Sequence, residues 1–214
     1  EPLFESRGSK VLSVDVKGGS LAHLAATANG GLSLGLKRGA QLHTPRFAGS
    51  GGALKLSDTG EFALLRIEKQ APPHDDEFYV INVETGTRTV IAQAPTVTSW
   101  FAFSASAGAF AIRQLDTTAD IDIFSTQTGR RIGAAPGGKT APLWSPVDDI
   151  LLSGGQDKVS LTAVDQGDTT LKCRLDGLPA RYLAFMPDGR QMLTGARASG
   201  IAIIDVDTCS TLLR

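Results

Sequence analysis

Six polar side chains recur at comparable places in this 214-residue chain. Arg66 and Arg113 each stand ten residues after a hydrophobic-serine pair, Leu56-Ser57 and Phe103-Ser104. Gln156 and Arg197 stand twelve residues after Trp144 and Phe185, and Lys139 and Arg181 lie in the segments leading into those two aromatics. Guanidinium, ammonium and amide groups gathered at one end of a set of strands would make charge-assisted hydrogen bonds, which suits an acidic peptide or carboxylate ligand. The same positions also read as solvated strand ends, balanced by Glu68, Asp116, Asp157 and Asp176.

Other chemistry finds little support. Gly49-Ser50-Gly51-Gly52 lacks the spacing of a nucleophile elbow, and no C-x-x-C, H-E-x-x-H or phosphate-cradling glycine loop occurs. His23, His43 and His74 fall in different parts of the chain and read as packed or solvated residues. His74-Asp75-Asp76-Glu77 pairs acids with a histidine, but oxygen ligands from one loop seldom converge on a hard cation without a specific spacing. It reads as a solvated insertion, so no metal and no cofactor is expected. A net charge of −1 supplies no positive field for phosphates, which argues against nucleic acid. No apolar run approaches the ~20 residues that span a bilayer, so membrane insertion is not expected. The 42% hydrophobic and 20% charged content is an ordinary globular balance, enough for a sizeable core.

The two cysteines, Cys173 in an expected strand and Cys209 in an expected turn, are too few for a disulfide framework. They are expected to be free thiols, which favours a reducing, cytoplasmic setting over a periplasmic or secreted one. The chain opens on Glu1 without a hydrophobic leader and is read as a processed or excised product.

The elements that would position these side chains are best seen in Tyr182 to Leu213. Four short runs, Tyr182 to Phe185, Gln191 to Thr194, Ile201 to Val206 and Thr211 to Leu213, are parted by Pro187-Asp188-Gly189, Ala198-Ser199-Gly200 and Asp207 to Ser210. Proline presets φ, aspartate bonds its own backbone and glycine reaches positive φ, so each break is a turn and each run a strand. The unit recurs. Anchors at Val14, Leu56, Phe103, Trp144 and Phe185 are spaced by 42, 47, 41 and 41 residues. The turn after the third strand recurs too, in Asn82-Val83-Glu84-Thr85-Gly86, Ser125-Thr126-Gln127-Thr128-Gly129 and Asp205-Val206-Asp207-Thr208. Second strands such as Phe62 to Ile67 and Ile150 to Leu152 are continuously apolar, as strands covered on both faces are. Loops are expected at Glu68 to Asp76 and Ala134 to Ala141. A period near 40 with four strands per unit implies an all-β β-propeller of about five four-stranded blades. Their bounds are about 11–47, 53–92, 99–135, 140–175 and 180–214, after an N-terminal segment 1–10 whose Leu3-Phe4-Glu5-Ser6 reads as a remnant outer strand.

Phe185-Met186-Pro187-Asp188-Gly189-Arg190 and Trp144-Ser145-Pro146 give the chain its family likeness. It resembles the WD40-like β-propellers, and more closely the TolB-like and prolyl-oligopeptidase-type repeats with an (F/W)SPDG(K/R) turn. No GH dipeptide precedes the blades and no WD follows the third strands. The resemblance implies a non-catalytic scaffold that binds a protein or peptide through its top-face loops, where Arg66, Arg113, Lys139, Gln156, Arg181 and Arg197 would ring the channel mouth. The alternative it implies is the propeller of a larger hydrolase, with catalytic serine, aspartate and histidine outside these residues. Trp144 is expected in the core, and Trp100 and Phe101 in blade packing. Two closures stay open: a five-bladed ring, or a larger propeller completed by another segment or chain, which is the expectation.

Overall fold

The computed structural model describes residues 10–69, 76–91, 98–114, 119–155, 157–165, 167–178, 180–196 and 200–213. Strands alternate with tight turns throughout, and no helix occurs among the described residues. Sheet 1 is built from β1 (Lys10–Lys17), β2 (Ser20–Ala26), β3 (Gly31–Arg38), β4 (Gln41–His43) and β5 (Arg46–Ala48), with β4 and β5 both paired to β3. Sheet 2 takes β6 (Gly51–Leu56), β7 (Phe62–Glu68), β8 (Asp76–Asn82) and β9 (Arg88–Val90). Sheet 3 takes β10 (Thr98–Phe103), β11 (Ala109–Gln114), β12 (Ile121–Ser125) and β13 (Arg131–Ala135). Sheet 4 follows with β14 (Leu143–Trp144), β15 (Ile150–Gly155), β16 (Lys158–Asp165) and β17 (Asp168–Asp176). Sheet 5 closes with β18 (Tyr182–Phe185), β19 (Gln191–Ala196), β20 (Gly200–Asp205) and β21 (Thr211–Leu213). Every sheet is antiparallel; sheets 2 to 5 are ordered as the chain runs, each a meander joined by hairpins, and sheet 1 departs only where β5 returns to pair with β3. These are propeller blades.

The chain divides into two compact units, the first running to Val97 and taking in Thr128–Arg130, the second holding the rest. In the first unit, Leu24, Leu34 and Leu36 of sheet 1 share a core with Leu54, Leu65 and Ile67 of sheet 2. Side chains alternate across a strand, so a sheet buried on one face would show alternating burial. Instead Ala63, Leu64 and Leu65 are all buried, which is why β7 reads as an unbroken apolar run. The turn after β1 is latched to the next sheet. Ser20 Oγ donates to Gly60 O at 2.7 Å, and the Asp15 carboxylate accepts from Leu56 N at 2.9 Å. A Cβ at Gly18 would lie 2.0 Å from Thr59 O, and its φ of +51° is left-handed, so the close approach admits only glycine.

In the second unit, Leu152, Val159 and Leu161 of sheet 4 pack on Met192, Ala202 and Ile204 of sheet 5. Trp100 and Trp144 pack against the cluster of Ala109, Ala111, Ile121 and Ile123. Trp144 is half-buried rather than fully enclosed, and its indole N–H donates to Ala102 O at 3.1 Å. Phe110 stacks on Phe124 at 5.2 Å. The latch at the first turn recurs here with other groups, as Asp149 accepts from Ser106 N at 3.0 Å and from the Ser106 hydroxyl.

Two expectations change. The loop expected from Ala134 starts two residues later, because Ala134 and Ala135 extend β13 by pairing with Asp122 and Ile121. The cysteines are not free thiols. Cys173 on β17 is bonded to Cys209 in the β20–β21 turn, with Cα atoms 6.3 Å apart. The sequence separation of 36 hid the pair, because the contact exists only once sheet 5 lies on sheet 4. A disulfide persists in oxidising surroundings, so the reducing setting inferred from free thiols loses its basis.

Candidate functional site

In the first unit a cleft of about 920 Å³ opens between the β2–β3 turn, β5 and the facing ends of β7 and β8. Its wall is the turn Thr27 to Gly31, which folds on itself. Thr27 N donates to Gly31 O at 2.8 Å, Gly31 N donates to Thr27 Oγ1 at 3.1 Å, and Gly30 turns the chain at φ +77°. The opposite wall carries Arg46, Phe47, Lys69 and Glu77. Lys69 pairs with Glu77 at 2.6 Å, and the Tyr79 hydroxyl donates to Glu77 at 3.0 Å. The Lys69 ammonium, followed by the Tyr79 hydroxyl, holds the Glu77 carboxyl below its ordinary range against the opposing effect of partial burial. Phe47 is clasped by Tyr79 at 5.1 Å between rings and by Arg88, whose guanidinium lies 5.6 Å from the ring centre. Arg46 is exposed, and among the described residues no ion pair reaches it. Among the described residues, the cleft therefore holds the Lys69–Glu77 ion pair and the exposed Arg46.

In the second unit a smaller cleft of about 420 Å³ lies at the corresponding turn of sheet 4. Asp120, Asp157, Lys158 and Arg174 line it, two acids against two bases. Arg174 is turned toward Asp176 at 3.4 Å. Glycine is needed at Gly137 in its lining, where a Cβ would meet Ala119 O at 1.9 Å. This cleft is electrically balanced.

The six side chains singled out by spacing divide sharply. Arg66 is tied to Glu68 at 2.5 Å and lies 3.9 Å from Asp76, with its side chain 20% exposed. Arg113 is buried. Its guanidinium donates to Thr140 O at 2.8 Å and to Gly138 O at 3.4 Å, and burial lowers its pKa. It bolts down the connection between sheets 3 and 4 from within rather than offering a donor at the surface. Lys139, between the two residues whose carbonyls accept from Arg113, is exposed, and so is Arg181. Gln156 and Arg197 lie outside the described residues, as do His74 and Asp75. Of the acidic cluster, Asp76 and Glu77 are strand residues of β8, each with a basic partner. Spacing missed Arg46, which sits on a three-residue strand that sequence alone does not distinguish from a loop.

No family model matches the chain, and no curated protein resembles it in sequence. Solved structures do match in shape. A crystal structure of the eukaryotic initiation factor superposes on 97% of this chain with a TM-score of 0.73 at 14% identity. The fold is that of a β-propeller. The Myceliophteria thermophila Cps50 (Swd1) β-propeller domain superposes on 95% of this chain and 72% of its own length, with a TM-score of 0.53 at 16% identity. This chain spans about half, 54%, of the initiation-factor structure. At these identities the likeness shows architecture alone.

Proposed function

We propose that the chain is a non-catalytic β-propeller scaffold that binds an acidic segment of a protein or peptide partner through its top-face loops. The observation that carries this reading is the cleft of the first unit, where the exposed Arg46 guanidinium stands beside Phe47 and an already paired Lys69–Glu77. A guanidinium donates two parallel hydrogen bonds to a carboxylate. In the second unit, exposed Lys139 and Arg181 are proposed as further contacts, with Gln156 and Arg197. Arg66 and Arg113 contribute by holding the strand ends and the connecting loop in place.

A fluorescein-labelled peptide of ten glutamates serves as the probe in fluorescence polarisation. The reading predicts salt-sensitive binding that Arg46→Glu weakens at least about tenfold, the size of one lost charge-assisted contact. No binding at low salt, or equal binding by R46E, would overturn it.

A further inference from the structure

The smaller cleft of the second unit grows out of one face of sheet 4. Side chains alternate across a strand, and Val159 faces the core shared with sheet 5. The opposite face meets sheet 3, where Leu151 packs with Ala109 and Ile121. Two residues further along β15 this apolar packing gives way to Ser153, which pairs across the strands with Ser160 and then Arg174. The next rung on that face holds Gly155 and Lys158, and the β15–β16 turn adds Asp157. Asp120, at the entry to β12 of sheet 3, lines the same cleft. Ser160 is only 5% exposed yet lines it too, and no group among the described residues hydrogen-bonds to its hydroxyl. Ser153, beside it on the rung and buried, likewise has an Oγ without a partner. A buried hydroxyl without a partner forfeits the hydrogen bonds it made in water, and a polar group reaching it restores them. The charges around these hydroxyls are not spent on one another. Arg174 turns its Nε to Asp176 at 3.4 Å, and among the described residues no ion pair reaches Asp120, Asp157 or Lys158. The connection beside the cleft is fixed, since Thr140 N donates to Gly154 O at 3.2 Å while Arg113 holds the carbonyls of Gly138 and Thr140.

We propose that this cleft binds a small zwitterion of the α-amino-acid type, its carboxylate on Ser160 and Arg174 and its ammonium on Asp157 and Asp120. One rung supplies the carboxylate end, a hydroxyl donor at the floor beside a guanidinium, with Lys158 adding positive charge on the next rung. The acids come from different elements, the β15–β16 turn and sheet 3. Ligands of a single sign fit less well. A simple anion meets two carboxylates, and a simple cation meets two bases, each losing hydration beside a like charge. A neutral sugar could satisfy Ser160 but would forgo the stronger charge-assisted bonds that all four charged groups offer. A molecule carrying both signs engages the hydroxyl, the guanidinium and the acids together, and leaves the balance of charge in the cleft unchanged. Its volume of about 420 Å³ lies within the range of small-ligand clefts. The site belongs to the other unit from Arg46, so the glutamate-peptide result does not decide it.

The test titrates L-alanine into the isotope-labelled chain and follows backbone amides by NMR, beside N-acetyl-L-alanine, L-alaninamide and glucose. The amides of Gly155, Lys158 and Ser160 should shift saturably with L-alanine, with a Kd on the order of 1 mM for so small a ligand. Removing either charge, in the acetyl or the amide derivative, should weaken binding at least about tenfold, the size of one charge-assisted contact. Arg174→Gln should do the same and Ser160→Ala should weaken it about fivefold, with the amides of β19 and β20 unmoved as the check that the fold is kept. Should a variant fail that check, the comparison of derivatives on the unaltered chain still decides. N-acetyl-L-alanine binding as tightly as L-alanine would overturn the proposal by making this an anion site, and L-alaninamide binding as tightly would make it a cation site. Saturable shifts with glucose but not L-alanine would overturn it in favour of a polyol, and no saturable shift with any of the four would leave only a solvated cleft.

Discussion

The β8–β9 turn and the β20–β21 turn are the same device used in two ways. In each, one side chain at the strand end collects the turn's donors. Asn82 Oδ1 accepts from Glu84 N at 3.0 Å, Thr85 N at 2.9 Å and Thr85 Oγ1 at 3.1 Å. Asp205 Oδ1 accepts from Asp207 N at 3.0 Å, Thr208 N at 2.8 Å and Thr208 Oγ1 at 2.9 Å. A second hydroxyl follows in both, Thr87 and Ser210. Both turns then need a left-handed residue, supplied by Gly86 at φ +71° and by Cys209 at φ +57°. A side chain at that position points at the outermost strand of the preceding sheet. At Gly86 a Cβ would lie 2.7 Å from His43 Nδ1, and the latch is a hydrogen bond between His43 Nε2 and Glu84 O at 2.8 Å. At Cys209 the side chain takes that direction and is bonded to Cys173. One turn reaches its neighbour through an imidazole that needs the glycine, and the other accepts a strained φ to place a sulfur.

The largest effect should come from breaking the covalent latch. Closing a separation of 36 residues is worth about 4 kcal/mol in the chain-entropy view. Reduction by dithiothreitol, or Cys173→Ser with Cys209→Ser, should lower the calorimetric midpoint by about 10 °C. An unchanged midpoint in the reduced protein would mean that the bond carries no load.

Gly86→Ala should come next. It forces an L side chain into the left-handed region and against His43, at a cost of about 2 kcal/mol. Adding His43→Ala should recover the steric part of that loss and leave the conformational part. The same two changes behaving additively in urea unfolding would deny the contact. In the reduced protein, Cys209→Gly should stabilise by about 1 kcal/mol, because the strained φ then serves no bond.

The smallest effect separates aspartate from asparagine. The Thr208 N–H, then its hydroxyl, holds the Asp205 carboxyl below its ordinary range. A depressed folded pKa contributes stability that is complete above the unfolded value of about 3.9 and is lost as pH falls through the folded one. Melting curves between about pH 5 and pH 2 should therefore show an acid-side loss that Asp205→Asn reduces, whereas Asn82→Ala should leave it in place.

The repeat made most of this architecture legible. Anchors at Leu56, Phe103, Trp144 and Phe185 located the meanders because turn chemistry and alternation are local properties. The Asn82 and Asp205 turns were visible for the same reason. The burial of Arg113 was not, since its partners Gly138 and Thr140 lie 25 and 27 residues away in a connection with no pattern of its own. Offset from an anchor shows where along a strand a residue falls, but not whether a loop folds over it. Cys209 carried a readable sign in retrospect: it stands where the two matching turns have Gly86 and Gly129, all at positive φ. A cysteine in glycine's place marks a side chain kept there for its direction.

The most direct measurement is the intact mass of the protein, secreted through an oxidising compartment and treated with iodoacetamide under denaturing conditions. The account predicts no alkylation without reductant and two alkylated thiols after it, at Cys173 and Cys209. Two alkylated thiols without reductant would leave both outer turns joined only by non-covalent contacts and would contradict it.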